Sequence, residues 1–190
     1  MVRIIGIAGS PRKDGNTELL VKEALSAAES EGAKTELVSL AGKTITPCDG
    51  CRTCRKTKKC HIRNDDLPPI FKKMLRADGI ILASPVYFGS ATPQIKALID
   101  RAGYLGGSMG RVFENKVGGP IVVARRAGQN FTFAQLMFFF MITGMIVPGS
   151  TYWNIAFGRE KGEAQKDDEG IRTVRNFGRR VAWLAKKLSQ

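Results

Sequence analysis

The sequence predicts an α/β fold: a doubly wound, five-stranded parallel sheet in the order 2-1-3-4-5, with helices on both faces and a cysteine-rich loop insertion. Three observations predict it. Val2 to Ala8 is an apolar run broken by one arginine, the pattern of a strand covered on both sides. Short apolar segments then alternate with amphipathic ones through the 190 residues. Turns rich in glycine, serine and aromatic residues follow the strands, at the carboxyl edge where doubly wound sheets hold ligands.

The first strand, Val2 to Ala8, runs directly into Gly9-Ser10-Pro11-Arg12-Lys13-Asp14-Gly15-Asn16-Thr17. Glycines let backbone N–H groups approach an anion. Ser10, Asn16 and Thr17 add donors, Arg12 adds a charge-assisted bond, and the helix that follows aims its positive end at the turn. The turn is therefore a candidate phosphate site, although it is neither a Walker A loop nor a GxGxxG turn. A purely structural helix cap accounts for the same residues equally well. From Thr17 to Glu31, Leu20, Ala24, Ala27 and Ala28 recur at helical spacing, and Gly32 ends the helix. Thr35 to Leu40 alternates into the second strand.

Loop 47–63 then collects all four cysteines, Cys48, Cys51, Cys54 and Cys60, separated by two, two and five residues. Soft thiolates at CxxC spacing bring two sulfurs from one turn to one metal centre. A third at the same interval and a fourth just beyond suit the corners of a 4Fe-4S cluster. Structural zinc more often takes two separated CxxC pairs, and disulfide frameworks are more scattered, so both fit less well while remaining open. Arg52, Arg55, Lys56, Lys58, Lys59 and Arg63 stand against Asp49 alone, making the loop basic. Such cations favour the more negative, reduced cluster and offer a landing surface for an acidic partner, although a solvated basic face explains them as well. His61, the only histidine, reads as a surface imidazole, with a ligand or proton-relay role as the alternative.

Beyond the loop, Asp65 to Ala77 opens with an acidic capping pair and carries Ile70, Met74 and Leu75 on one helical face. Ile80 to Ala83 is the third strand. It delivers Ser84-Pro85-Val86-Tyr87-Phe88-Gly89-Ser90, whose backbone groups suit the rim of a flat heterocycle while Tyr87 and Phe88 cover its face. Buried core aromatics are the rival explanation. Val117 to Ala124 is the fourth strand, and Phe131 to Thr143 is a helix apolar nearly all round, expected to form a subunit interface, with plain core burial as the rival explanation. Met145 to Val147 is expected as the fifth strand, followed by an aromatic loop from Gly149 to Gly158 and a charged connector from Lys161 to Gly170. The closing helix, Ile171 to Leu188, is expected to bury Val174, Gly178, Val181 and Leu188.

Hydrophobic content of 43% and charged content of 25% are globular values, and one domain spanning 1–190 suffices. A net charge of +13 calls for an anionic partner or ligand. Nucleic acid is not the expected one, because the basic residues are dispersed and no nucleic-acid-binding signature is present. The longest apolar run, Leu136 to Ile142, falls far short of the roughly 18 residues that cross a bilayer, and the N-terminal run is too short for a secretory signal. A soluble, cytoplasmic protein with reduced thiols is expected.

The motifs Gly9-Ser10-Pro11-Arg12 with Gly15-Asn16-Thr17, Ser84 to Gly89, and Pro93 through Lys96 to Asp100-Arg101 resemble the NADPH-dependent FMN reductase branch of the flavodoxin-like flavoproteins. With the four cysteines between them, the chain is similar to the iron-sulfur flavoproteins of anaerobes over nearly its whole length. The resemblance implies FMN with its phosphate on Ser10, Arg12, Asn16 and Thr17 and its ring against Pro85, Val86, Tyr87, Phe88 and Gly89. It also implies a 4Fe-4S cluster on the cysteines and a homodimer or homotetramer bringing a cluster to another subunit's flavin. The turn Arg125-Arg126-Ala127-Gly128-Gln129-Asn130 departs from the family by placing Asn130 where an acidic residue is usual; Arg125 and Gly128 are its candidate cofactor contacts. The implied activity is electron transfer between a low-potential donor such as ferredoxin and an acceptor, with NAD(P)H as a further candidate partner. The alternative is an NAD(P)H-dependent FMN or quinone reductase with structural zinc on the cysteines; a basic nucleic-acid-binding module is a third.

Overall fold

Five parallel strands form the sheet: β1 (Arg3–Ala8), β2 (Lys34–Ser39), β3 (Gly79–Pro85), β4 (Val117–Ala124) and β5 (Ile155–Phe157), in the order β2-β1-β3-β4-β5. The structure is a computed structural model and describes residues 1–189. The order reverses between β1 and β3, so connections leave these neighbours toward opposite sheet faces and open a crevice at their carboxyl ends.

Alternate residues of each strand point to opposite faces, and both faces are apolar. Ile5, Ile7, Ile80, Leu82 and Val122 pack under α3 (Leu67–Arg76), α4 (Pro93–Ser108) and α5 (Gln129–Ile142). Ile4, Ala8, Ile81, Ala83, Ile121 and Val123 pack under α1 (Asn16–Ser30) and α6 (Asp168–Leu188). Burying side chains such as Phe177 and Val181, both fully covered, contributes about 1.5–3 kcal/mol each. On this face α1 and α6 approach closely at Gly178, where an added Cβ would lie 2.0 Å from the carbonyl oxygen of Ala24.

The expected fifth strand is displaced. Met145 to Val147 makes only one bridge, with Ile146 taking the Gly118 N–H at 3.1 Å and giving its own N–H to Lys116 at 2.9 Å. The N–H groups of Gly118 and Val122 reach toward this edge, and Pro120, midway between them, has none to give. Its carbonyl is taken instead by the Asn154 side chain at 3.1 Å. Pro148 lacks the donor too, so the chain leaves the edge, turns through Trp153, and rejoins as β5 opposite Val122, Val123 and Ala124.

Three smaller departures have similarly local causes. Helix α3 starts at Leu67 rather than Asp65, because both aspartates serve loops: Asp66 accepts the Thr44 N–H at 2.8 Å and Asp65 accepts that of Thr46 at 2.9 Å. Helix α6 starts earlier than Ile171, since the Asp167 carboxylate caps it by accepting the Gly170 N–H at 2.9 Å. Its last leucine, Leu188, is 51% exposed rather than buried, one turn past the end of the face that covers Ala185. No helix among the described residues is long and apolar enough to cross a membrane.

Candidate functional site

The carboxyl ends of β1, β3, β4 and β5 open onto a cavity of about 440 Å³. Ser10, Arg12, Asn16 and Thr17 line it from the first turn, Pro85, Val86 and Tyr87 from the third strand, and Arg125 from the fourth. Sequence reading placed the loop Gly149 to Gly158 beside the site but did not single out the contributions of Lys13, Arg159 and Lys161. The last two follow β5, and with the fifth strand placed too early the cations beyond that loop go unrecognised.

Five cationic side chains, Arg12, Lys13, Arg125, Arg159 and Lys161, face this space against the single carboxylate of Glu160, a balance suited to a phosphate dianion. Helix α1 begins there at Gly15, which has no side chain to cap it, so the free N–H groups of the first turn remain available to an anion. Ser10 is 4% exposed and its Oγ accepts the Arg12 N–H at 3.1 Å, which shapes the turn. Glu18 folds back to accept the Asp14 N–H at 3.1 Å. The Asn16 amide is committed elsewhere: its Nδ2 donates to the Glu160 carbonyl at 2.8 Å and its Oδ1 accepts the Ala164 N–H at 3.3 Å. These residues fit a flavin mononucleotide phosphate, with Asn16 holding the far wall in place.

Three expected contacts lie outside the cavity lining. Phe88 and Gly89 form the tip of a tight turn in which Tyr87 and Ser90 exchange N–H···O bonds of 2.8 and 3.0 Å, with φ of 48° and 76° at the two central residues. That backbone points the Phe88 ring fully into solvent. Gly128 supports the loop from behind: φ is 85°, and an added Cβ would come 2.8 Å from Val86 and 3.1 Å from the Gly89 Cα. Gln135 of α5 holds the other side, its Oε1 accepting from Ser90 Oγ and from the Ala91 N–H, each at 2.8 Å.

The four cysteines line a second cavity, of about 220 Å³, with His61, Arg101 and Tyr104. All four thiols are free; Cys48 and Cys51 are exposed, Cys54 and Cys60 partly covered. A short helix, α2 (Thr53–Thr57), carries Cys54 and is flanked by Arg52 and Lys58, both with positive φ. Asp49 accepts the Cys51 N–H at 3.1 Å and pairs with His61 at 2.6 Å. The N–H of Cys51, then the imidazole, hold its carboxyl below the ordinary carboxylate range. At the floor, the guanidinium of Arg101 reaches Cys60 Sγ at 3.4 Å. Asp49, Cys51 and His61 bring one oxygen, one sulfur and one nitrogen within 4.8 Å of one another, and the four soft thiols around the same space, with N–H groups beside them, fit an iron-sulfur cluster.

Helix α4 runs from the start of the first turn to the sulfur cavity. Thr92, the N-cap of α4, donates its hydroxyl to the Gly9 carbonyl at 2.5 Å, while Arg101, nine residues on, sits under the cysteines. At 1.5 Å per residue that separation is roughly 13 Å along the axis. Burial would raise the Asp65 carboxyl, but the hydrogen bond from Arg101, the Thr46 N–H and the Arg101 charge outweigh it and hold it below its ordinary value.

Fold and site together define a flavodoxin-like α/β protein that adds a thiol cage to its cationic turn. A family model described as NADPH-dependent FMN reductase matches residues 2–160. An iron-sulfur flavoprotein of Methanocaldococcus jannaschii is 45% identical over 196 residues, covering 100% of both chains. Another, of Methanosarcina thermophila, is 37% identical over 183 residues, covering 95% of this chain and 93% of the relative. The chain belongs to the NADPH-dependent FMN reductase family, among its iron-sulfur flavoproteins. Solved structures agree in fold. RosB with a bound 8-demethyl-8-formylriboflavin-5'-phosphate intermediate aligns with a TM-score of 0.78 at 18% identity, over 100% of this chain and 81% of that one. A WrbA-like flavodoxin from Agrobacterium tumefaciens aligns with a TM-score of 0.69 at 18% identity, over 98% and 99% of the two chains.

Proposed function

We propose that this chain carries electrons between a low-potential donor such as ferredoxin and an acceptor, using FMN at the cationic turn and a 4Fe-4S cluster on Cys48, Cys51, Cys54 and Cys60. The observation that supports it most is the presence of two cavities in one domain, one cationic at the carboxyl edge of the sheet and one lined by the four cysteines. When bound, FMN supplies one- or two-electron exchange and the cluster supplies single-electron exchange. The protein's own residues bind and orient. Arg12, Lys13, Arg125 and the first N–H groups of α1 hold the phosphate, and Pro85, Val86 and Tyr87 give the ring an edge and a face. Arg52, Arg55, Lys56, Lys58, Lys59 and Arg63 are all exposed around the sulfur cage and steer an acidic partner to it.

A second copy of the chain completes this reading. Phe131, Phe138, Met141 and Ile142 stand 68–79% exposed on α5, beside an apolar groove of about 1010 Å³ against α4. A homodimer or homotetramer covers that face. Sedimentation of monomer alone at micromolar concentration would remove this part.

The deciding experiment is anaerobic purification followed by metal, sulfide and flavin analysis. Iron with acid-labile sulfide and one FMN per chain is expected. Zinc without sulfide would instead favour a flavin or quinone reductase with a structural metal and would end the cluster assignment.

A further inference from the structure

Among the described residues, Arg101 is the one buried cation lining the sulfur cavity: it is 2% exposed, whereas Arg52 in the same wall is exposed. Its guanidinium is fixed from several sides. Nη1 donates to the Thr46 carbonyl at 3.0 Å and to the Asp65 carboxylate, and Nη2 donates to the Ile62 carbonyl at 2.8 Å and to Cys60 Sγ at 3.4 Å. Thr46 and Ile62 flank the cysteine segment, so one side chain ties both ends of the loop to α4. Nε is buried and has no partner among the described residues.

Stability alone does not explain this arrangement. Both side chains of the Arg101–Asp65 pair are 1% exposed, and a buried ion pair is commonly matched or bettered by apolar residues of similar volume. What apolar residues would lack is a fixed, desolvated positive charge with N–H donors aimed at a ligand sulfur.

We propose that Arg101 is a positioning residue for the redox centre, holding the Cys60 sulfur through an N–H···S bond and raising the reduction potential of the cluster. The inference rests on the cluster reading above. Reduction adds one electron from the low-potential donor to the thiolate-bound centre, breaks no bond and increases its negative charge. A cation in contact with a ligand sulfur stabilises that added charge, and hydrogen bonds to the sulfurs act in the same direction. Water and salt screen the exposed lysines of the loop; they screen Arg101 much less.

The test is the double variant Asp65→Asn with Arg101→Gln, which removes both charges together, strands neither, and keeps hydrogen-bonding groups for the neighbouring backbone. Iron, acid-labile sulfide and flavin per chain are measured on anaerobically purified full-length protein, with the cluster midpoint from an EPR-monitored titration. Two results support the proposal, both with flavin retained. Either the equilibrium for reducing the cluster falls at least about tenfold, equal to about 59 mV for a one-electron couple, or iron per chain drops by more than half. Wild-type iron and sulfide with an unmoved midpoint overturn it. Should the double variant not fold, Arg101→Lys carries the test: a single ammonium keeps the charge but cannot serve Thr46, Ile62 and Cys60 at once. Lower iron or an altered EPR line shape then supports the role of the fork, and no change in either overturns it. Wild-type protein without iron and labile sulfide refutes the cluster reading itself, a result distinguishable from all of these.

Discussion

Asn16 and Glu160, 144 positions apart in the chain, are joined by a 2.8 Å hydrogen bond from the Asn16 amide to the Glu160 carbonyl. The bond sets the loop bearing Arg159 and Lys161 against the turn bearing Arg12 and Lys13, so cations that follow β1 and β5 face one space. Asn16→Ala is expected to lower stability by about 1 kcal/mol, the net worth of such a bond, and to weaken FMN binding roughly tenfold by loosening the far wall. A flavin titration with an unchanged dissociation constant would show that the 158–161 loop takes no part.

Phe88 presents the opposite case, a bulky residue held at φ 48° with its ring in water. Left-handed backbone costs such a residue about 1–2 kcal/mol, and asparagine tolerates it better. Phe88→Asn should raise the melting temperature by a few degrees and leave the FMN dissociation constant of the isolated chain unaltered. A large loss of affinity would place the ring on the flavin after all.

Cys51→Ala should abolish the broad visible absorption of the cluster while flavin stays bound at one per chain, since the two cavities share no lining residue. Iron content equal to wild type would refute this cysteine as a ligand.

Asp65 governs an acid-dependent part of the stability. Its folded-state carboxyl titrates below the unfolded value near 3.9, so its contribution is complete above that value and is lost as pH falls through the folded value. On a cluster-free Cys51→Ala background, Asp65→Asn should cost about 3–5 kcal/mol near neutrality, because Arg101 is left buried and unpaired. The gap between the two proteins should narrow as pH falls below about 4. Urea unfolding across that range measures it, and a constant gap would contradict the assignment.

Gly178→Ala should cost about 1–3 kcal/mol, the usual penalty for overpacking, because the new methyl meets the Ala24 carbonyl oxygen at 2.0 Å. Calorimetry of the variant decides; an unchanged melting temperature would mean that α1 and α6 separate without cost.

The central strands were legible because burial on both faces writes an uninterrupted apolar signal, as in Ile4, Ile5 and Ile7 or Ile80 to Ala83. The cysteines were legible because their chemistry depends on local spacing. The edge was not. Whether a short apolar triplet such as Met145–Val147 becomes a strand depends on what its neighbour can donate, and Pro120 lies 25 residues earlier. The roles of Asn16 and Asp65 escaped for a related reason. A helix-start asparagine and a capping aspartate look local in sequence, yet their partners, Glu160 and Arg101, are brought up only by the finished sheet.

The broken margin of the sheet also bears on how copies of this molecule meet in a crowded solution. At β5 only three residues pair with β4, and at the opposite rim β2 places charged Lys34 and Glu36 toward water. Neither border provides the long, neutral row of open amides that would let another polypeptide zip on and seed fibres. Any self-association is thereby left to side-chain surfaces rather than backbone pairing, where its extent can be limited.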